Sequence, residues 1–333
     1  MESGVSSEPL ISVLIPVFNG EKYLLQSLQS IQSQTYQHLE ILVVNDGSVD
    51  RSAPIIDQFL KSDRRVRAIH KSRSGLTDSL NVGLAAARGD YIARLDCDDW
   101  ADVSRLELQV ARVKQDPSLV LVGSDFSTFN EESGETRDFR LPQGHKALLS
   151  RLSRLGGFFP HSAALFHLKT ARELGGYDSE ALYNEDWDLW LKLSEHGRIT
   201  SVSRKLVTIR EHQNQTTKLA KPILPISEAF ISTVLHHLRV RNAPTTTQIS
   251  LNRKLIRQYA LERPEFQEFQ ELVRSQIVFQ SVRFAPQSTI TKIRQLLYMK
   301  GILKTLLRLW FYKTRGTDAP HRVAIALSTR DFD

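Results

Sequence analysis

The sequence G-D-Y-I-A-R-L-D-C-D-D, residues 89–99, joins a strand-like run to three clustered carboxylates. Residues 91–95 favour burial in a strand, whereas clustered carboxylates repel one another and need a counter-charge when they are buried. A core strand whose C-terminal tip opens into a cleft with a divalent cation satisfies both demands, since hard cations take oxygen ligands. An acidic turn that caps a helix beginning near Asp102 explains the same residues, and this stretch alone does not separate the two interpretations.

The residues before this stretch alternate between strand-like and helix-like segments. Strands are predicted at 10–16, 39–44 and 66–69, and helices at 21–33, 50–60 and 76–87. Such alternation with short links predicts a parallel sheet covered by helices on both faces. Because ligands bind beyond the C-terminal ends of such strands, the tips at 16–19, 45–48 and 96–99 are expected to converge on one crevice.

Size and composition are those of an ordinary globular protein. The chain has 333 residues, of which 41% are hydrophobic and 24% charged, enough for one large domain and an appendage. The single cysteine, Cys97, excludes a disulfide framework and suits a reducing compartment. With neither a secretory signal nor an apolar run of about 20 residues, a cytoplasmic location is predicted.

The net charge of +7 is concentrated near the C-terminus. Residues 272–317 contain no acidic residue, and residues 290–311 combine apolar positions at helical spacing with lysines and arginines. A basic amphipathic helix of this kind fits peripheral attachment to an anionic membrane, here the inner face of the cell membrane. The alternative is a helix that packs its apolar side on the rest of the protein, and the two interpretations stay open.

Several short motifs occur in order between residues 10 and 215: P-V-F-N-G-E-K-Y-L, N-D-G-S-V-D, the run from G-L-T-D-S-L-N to L-D-C-D-D, G-G-Y-D and N-E-D-W-D-L-W-L. In this order they resemble the motifs of family 2 glycosyltransferases. The chain has no G-x-G-x-x-G after its first strand and no G-x-x-x-x-G-K-[ST], which argues against dinucleotide and P-loop proteins.

The resemblance implies an α/β fold of GT-A type, with a Rossmann-like, mostly parallel sheet flanked by helices over residues 1–219. A helical, basic appendage is expected over residues 220–333. The implied activity is inverting transfer of a sugar from a nucleoside diphosphate donor, UDP by family frequency, to a hydroxyl of a saccharide or lipid-linked acceptor in cell-surface polysaccharide or glycolipid synthesis. Sugar and acceptor choice are expected to depend on a loop around residues 126–141 and on the C-terminal helices.

On the donor side, the resemblance implies that Asp46 accepts a hydrogen bond from the base. A divalent cation, Mn²⁺ or Mg²⁺, would be held by Asp96 and Asp98, with His212 as a further ligand and Asp99 in a supporting role. Relatives often have arginine before the asparagine at position 81, and here Leu80 stands there, so Arg73 is a candidate replacement. The implied donor-binding residues are Pro16, Val17, Asn19, Glu21, Asp46, Gly75, Asn81, Asp96 and Cys97.

On the acceptor side, the resemblance implies that Asp186 is the base that takes the proton of the attacking hydroxyl. Its place near a helix N-terminus is expected to keep it ionised, because the macrodipole favours negative charge there. Simple helix capping explains the same carboxylates without any chemistry. His161, Glu185 and Trp187 are further acceptor-side candidates, although His161 also fits a strand cap and Trp187 a core position.

Two other classes fit parts of the sequence. A nucleotidyltransferase also joins an α/β sheet to acidic metal ligands, but it is expected to carry a basic, glycine-rich loop after the first strand, and residues 16–21 have none. A non-catalytic nucleotide-sugar binding protein would have no need of Asp96, Asp98 and Asp186 together. No nucleic acid partner is predicted.

Overall fold

A computed structural model of the chain describes residues 8–152, 159–179, 181, 184–213 and 215. The chain divides into two units, and the fold described below is that of the first, residues 1–179 and 185–218. The predicted C-terminal helices and their membrane attachment, residues 220–333, lie outside the described residues. Within the described part of the chain, no helix is both long enough and apolar enough to cross a bilayer.

All six elements predicted before residue 90 are present, with shifted ends. The strands are β1 (Ile11–Val17), β2 (Leu39–Asp46), β3 (Val66–Lys71), β4 (Tyr91–Arg94), β5 (Trp100–Ala101), β6 (Leu119–Asn130), β7 (Thr136–Phe139), β8 (Leu165–His167) and β9 (Arg198–Glu211). The helices are α1 (Leu24–Gln32), α2 (Ser52–Ser62), α3 (Leu76–Ala86), α4 (Arg105–Gln115), α5 (His145–Leu152), α6 (Leu168–Glu173) and α7 (Glu185–Ser194), with a 3-10 turn at His161–Ala163.

The strands form one mixed sheet in the order β3-β2-β1-β4-β8-β6-β9-β5, and β7 pairs with β6 outside this path. The first four strands are parallel, as predicted. The other half is mixed: β8 is antiparallel to both β4 and β6, and β5 is antiparallel to β9, whereas β6 and β9 are parallel. The region expected to be a loop around residues 126–141 is largely an antiparallel β6–β7 hairpin.

Helices cover both faces of the parallel half, as its apolar strands predicted. Val13 and Ile15 of β1 belong to a core cluster with Leu28 of α1. Leu14, between them, points to the opposite face and shares a second cluster with Leu80 of α3. Successive strand residues thus pack into two hydrophobic cores, one on each face of the sheet. Because both faces are covered, a ligand can reach the sheet only at the strand ends.

A buried polar bracket holds β4 in place from the side of α4. Arg105 is fully buried, and its Nη2 donates to the carbonyls of Arg94 at 2.9 Å and Ala164 at 3.1 Å. Gln109, one turn further on, donates through Nε2 to the carbonyls of Val122 and Ala163. These bonds satisfy buried carbonyls of β4, β6 and the 3-10 turn, and so tie the strand tip to its neighbours.

Helix α3 lies against β1 at a glycine. A methyl group added at Gly83 would overlap the side chain of Leu14, so the helix can approach this closely only without a side chain there. Gly83→Ala is therefore expected to lower the free energy of unfolding by about 1–3 kcal/mol through overpacking, although alanine is the better helix former.

A double-mutant cycle in urea tests this contact. Leu14→Val shortens the overlapping side chain, so Gly83→Ala should cost less in the Leu14→Val background, with a coupling of at least about 0.5 kcal/mol. Additive losses in the two single variants would show that the helix is not limited by this contact.

Candidate active site

The loops after β1 and β2 are bonded to each other at the open edge of the sheet. Asn19, in the left-handed region with φ of 50°, donates its N–H to Ser48 Oγ at 3.0 Å and accepts the N–H of Val49 through Oδ1 at 2.9 Å. Glu21 Oε2 accepts the N–H of Arg51 at 2.9 Å. Two predicted donor residues, Asn19 and Glu21, thus shape the crevice edge, and their contact with the donor stays a prediction.

Pro16 and Val17, also predicted on the donor side, are buried in β1. Because their side chains are buried, only their backbone groups can contact a ligand beyond the strand end. Gly75 has φ of 102°, a conformation that favours glycine, and stands at the start of α3 with open space where a side chain would be. These positions are compatible with a ligand beside the backbone.

Asp46 ends β2 and holds the loop that leads into α3. It accepts hydrogen bonds from Lys71 Nζ at 2.6 Å and from the N–H groups of Ser74 and Gly75, both at 2.9 Å. Burial acts to raise the pKa of Asp46, but these bonds outweigh it and the pKa is lowered. Asp46 is therefore an ionised loop anchor, and its predicted contact with the base is a use that the structure leaves untested.

A contact between an arginine and an aromatic ring lies beside this loop. The guanidinium of Arg73 lies 3.7 Å from the ring centroid of Phe18, which joins the loops after β1 and β3. Arginine and aromatic planes of this kind are surfaces on which nucleobases stack. The sequence named Arg73 only as a replacement for a missing arginine, and it did not name Phe18 as a site residue. The position of Phe18, an aromatic residue at the tip of the first strand, is the feature from which a base-stacking surface could have been predicted.

The three aspartates after β4 have different partners. Asp96 Oδ1 accepts a hydrogen bond from Arg94 Nη2 at 2.5 Å, and its side chain is 37% exposed, so it also reaches the crevice. Asp98 Oδ2 lies 2.9 Å from His212 Nε2. Asp99 is buried and accepts the N–H of Arg210 at 2.9 Å. Asp96 and Asp98 face the crevice, whereas Asp99 ties β9 to the tip, the kind of supporting contact expected of it.

One serine connects two of these carboxylates. Ser162 Oγ, in the 3-10 turn, lies 3.0 Å from Asp96 Oδ2 and 2.5 Å from Asp99 Oδ2. A hydroxyl carries one proton and can donate to only one of them. Burial, followed by the charges of the neighbouring aspartates, raises the pKa of Asp99 well above its usual range. Ser162 thus holds the two carboxylates close together, and its Oγ also accepts the N–H of Asp96 at 3.0 Å.

Asp98 and His212 are the residues best placed to hold a cation. Within the described residues, no group of three or more His, Cys, Asp or Glu side chains could hold a metal ion. The pair nevertheless offers a carboxylate and an imidazole to one point, and Mg²⁺ usually takes one or two carboxylates and completes its shell with substrate phosphates and water. Tyr23 lies against the His212 ring, with 4.8 Å between centroids, and so fixes its position. This donor set fits a cation shared with a diphosphate.

The acceptor-side carboxylates begin α7. Burial raises the pKa of Glu185 to about 7 and that of Asp186 to about 6, and each group also feels the charges of its neighbours. Desolvation outweighs the macrodipole at this position, but a pKa of about 6 leaves most of the Asp186 carboxylate ionised at pH 7, and its role as the base stays a prediction. Asp186 Oδ1 accepts the N–H of Trp187 at 2.7 Å. The charge of Asp186 also raises the pKa of Glu185, so the two groups do not titrate independently.

His161 and Asn81 are bound within the protein. His161 Nε2 lies 2.8 Å from the hydroxyl of Tyr177, and burial lowers the pKa of His161 well below its usual range, so the ring is neutral. Asn81 donates to the Tyr177 carbonyl at 2.8 Å and accepts the Tyr177 N–H at 2.9 Å. Asn81 thus connects α3 to the segment before α7. This structural role differs from the predicted contact with the donor, and that contact stays a prediction.

Two further predicted residues are half-buried. Trp187 packs on the second core cluster, and its Nε1 has no hydrogen-bond partner among the described residues. Cys97 lies against the backbone of Gly20, and burial together with the charge of Asp98 raises the pKa of its thiol, so it stays protonated. Neither position contradicts the roles expected of these side chains, and neither tests them.

A half-parallel sheet flanked by helices, with acidic strand tips and a carboxylate pair facing them, has the architecture of GT-A glycosyltransferases. The profile of glycosyl transferase family 2 matches residues 12–175. The chain is 31% identical over 221 residues to an uncharacterized glycosyltransferase of Haemophilus influenzae, an alignment covering 63% of this chain and 68% of that protein. It is also 31% identical over 183 residues to glycosyltransferase GlyG of Streptococcus pneumoniae, covering 53% and 58%. The chain belongs to glycosyl transferase family 2, which confirms the predicted class.

Solved structures confirm the predicted fold. Residues 1–349 of S. aureus TarS in complex with UDP-GlcNAc superpose with a TM-score of 0.59 at 18% identity, covering 79% of this chain and 78% of that one. The mannosyltransferase PcManGT of Pyrobaculum calidifontis, in complex with GDP-Man and Mn²⁺, gives 0.55 at 16% identity, covering 98% and 89%. At this level of identity, the likeness concerns the fold alone.

Proposed function

We propose that the protein is an inverting glycosyltransferase that moves a sugar from a nucleoside diphosphate donor to a hydroxyl acceptor. The observation that carries this proposal is the meeting of two unlike groups at one edge of the sheet. The Asp98–His212 pair has the donor set of a cation site, while Glu185 and Asp186 keep raised pKa values suited to proton transfer. A nucleotidyltransferase or a plain binding protein gives no reason for the second group.

The donor is expected to be a UDP-sugar held across the strand tips. The Phe18–Arg73 stack offers a plane for the base, and ionised Asp46 lies within the adjoining loop as an acceptor for the base imide. Support for uridine also comes from the TarS structures with UDP-GlcNAc and with UDP, although PcManGT binds GDP-Man. The diphosphate would then lie toward Asp96 and Asp98.

A divalent cation, Mn²⁺ or Mg²⁺, would be held by Asp98 and His212 with the help of Asp96. When bound, the ion supplies positive charge that stabilises the departing diphosphate. PcManGT, whose fold is similar, was solved with Mn²⁺. Asp99 would not coordinate, because its two oxygens are used by Arg210 and Ser162.

Asp186 would act as the base. As the acceptor oxygen attacks the anomeric carbon, its proton passes to the Asp186 carboxylate, and the bond between that carbon and the diphosphate oxygen breaks with its electrons leaving on the diphosphate. Attack from the face opposite the leaving group inverts the configuration. The Trp187 N–H bond to Asp186 Oδ1 orients the carboxylate and leaves Oδ2 for the acceptor.

The acceptor is expected to be a saccharide or a lipid-linked sugar in cell-surface polysaccharide or glycolipid synthesis. Hyaluronan synthase of Pasteurella multocida, which is 26% identical over 204 residues, supports the polysaccharide alternative. We propose a catalytic domain over residues 1–219 and a basic region over 220–333 that attaches the cytoplasmic enzyme to an anionic membrane surface.

Asp186→Asn is the decisive variant for the proposed activity. Transfer from a UDP-sugar in the presence of Mn²⁺ should fall by about 10²–10⁴-fold, because the amide cannot accept the proton. The affinity for UDP with Mn²⁺, measured by calorimetry, should stay within a few-fold. Asp57→Asn, which removes an exposed carboxylate from α2, is the matched control and should leave the rate unchanged. Near wild-type transfer by Asp186→Asn would refute the assignment of the base.

The pH profile provides a second test. A base works only when ionised, and the folded protein raises the pKa values of Asp186 and Glu185 to about 6 and about 7. The value of kcat/KM should therefore decline as the pH falls through 7 and 6, and level off above pH 8. A decline centred near pH 4, where exposed carboxylates titrate, would contradict a base in this environment.

His212→Ala tests the cation site. Loss of one of two protein ligands should raise the Mn²⁺ concentration for half-maximal activity by at least about tenfold, with a smaller effect on the rate at saturating Mn²⁺. His38→Ala, at a distant exposed position, is the control and should leave this concentration unchanged. Equal Mn²⁺ curves for the two variants would exclude His212 as a ligand.

A further inference from the structure

Arg94 of β4 is a fully buried cation with only part of its guanidinium in use. Nη2 donates to Asp96 Oδ1 at 2.5 Å. Nε and Nη1 are buried, and among the described residues neither has a hydrogen-bond partner. A buried charged donor without a partner costs free energy, so two such nitrogens in one side chain call for a functional explanation.

The alternation of strand residues tells which face this guanidinium occupies. Ile92 and Arg94 are two positions apart in β4 and therefore point to the same face of the sheet. Ile92 belongs to the second core cluster, together with Leu80 of α3 and Trp190 of α7. The side chain of Arg94 thus lies on the face that α3 and α7 cover, at the open end of the strand.

The first turn of α7 lies over the same end. Asp186 and Trp190 are four residues apart and share a helix face. The Trp190 ring lies 5.7 Å from that of His161, and the neighbouring Ser162 bonds to Asp96. Asp186 consequently faces the Arg94–Asp96 ion pair, and the charge of Arg94 acts to lower the pKa values of both Glu185 and Asp186.

We propose that Arg94 is a positioning residue for sugar transfer, which fixes Asp96 on the donor side through Nη2 and holds the carboxylates of α7 on the acceptor side through Nε and Nη1 when substrates bind. This inference rests on the proposed function and adds the link between its two halves. One rigid guanidinium can serve both sides because its donors point in different directions in one plane.

The groups around Asp186 make the effect of removing this cation predictable. Asp96 acts to raise the pKa values of both Asp186 and Glu185, the charge of Asp186 also raises that of Glu185, and Arg94 acts to lower both. His161 is neutral, and burial raises the pKa of Tyr177 well above its usual range, so neither ring replaces the lost charge. Without Arg94, the negative charges of the neighbouring carboxylates are no longer offset, so the pKa of Asp186 rises and the group stays protonated to higher pH.

The test compares Arg94→Gln with Arg94→Lys, using initial rates with a UDP-sugar and Mn²⁺ from pH 5 to 9. Arg94→Gln should lower kcat/KM at pH 7 by tenfold or more and move the acid limb of the profile upward by about one pH unit. Arg94→Lys keeps the positive charge but loses the planar set of hydrogen-bond donors of the guanidinium. It should therefore lower kcat, whereas the acid limb of the pH profile should stay in place. Thermal unfolding of each variant records how much protein is folded.

Arg105→Gln is the matched control. Arg105 is equally buried and contacts the carbonyl of Arg94. Its Nε and Nη2 donate to Gln109 and to backbone carbonyls rather than to a carboxylate, and its Nη1 has no hydrogen-bond partner among the described residues. This variant should lose stability with its acid limb unmoved. An unmoved acid limb in Arg94→Gln, with a loss of rate that follows the folded fraction, would overturn the inference. If Arg94→Gln does not fold, a shifted acid limb in Arg94→Lys would overturn it equally. Near wild-type transfer by Asp186→Asn would instead refute the assignment of the base, and a wild-type protein that transfers no sugar from any nucleoside diphosphate donor would refute the proposed function.

Discussion

The carboxylates of Asp96, Asp98 and Asp99 stand within four positions at the end of one buried strand, and like charges at that spacing require separate partners. Arg94 pairs with the first and His212 with the second, while the third bonds to Ser162. Each partner comes from a different element: β4 itself, the end of β9 and the 3-10 turn. The mixed half of the sheet is what delivers the last two, because β8 follows the turn directly and β9 runs beside β6 toward the tip.

The crevice edges are held by hydrogen bonds between loops rather than by packing. Asn19 and Glu21 bond to the loop after β2, and Asp46 bonds to the loop before α3. The side chains that the resemblance assigns to donor binding therefore already make hydrogen bonds within the free protein. This does not conflict with binding, since a carboxylate oxygen has two lone pairs and a loop held by such bonds loses little entropy when a ligand arrives.

The parallel half of the fold could be predicted because its strands are continuous apolar runs and its helices have apolar residues at regular spacing. The antiparallel pairings of the mixed half could not be predicted, since β8 has three residues and β5 two, too short for any periodicity to be visible. In the site, the resemblance singled out Asp98, His212 and Asp186, and their roles stay predictions. Nothing in the sequence indicated Arg94, because an arginine within a strand usually points to solvent, and only the three-dimensional structure shows it buried with two nitrogens that have no partner among the described residues.

Asp186 illustrates how burial decides chemistry that local sequence leaves open. A helix N-terminus alone would hold its pKa low, and such a carboxylate would be ionised but a weak base. Burial, together with the charge of Asp96, raises the pKa to about 6, and the opposing charge of Arg94 limits the rise. A pKa just below neutral leaves most of the carboxylate ionised at pH 7 while increasing its affinity for the proton, the compromise at which general bases are most effective. In the proposed mechanism, the burial that makes this cluster of acids costly to fold would also make Asp186 a better base.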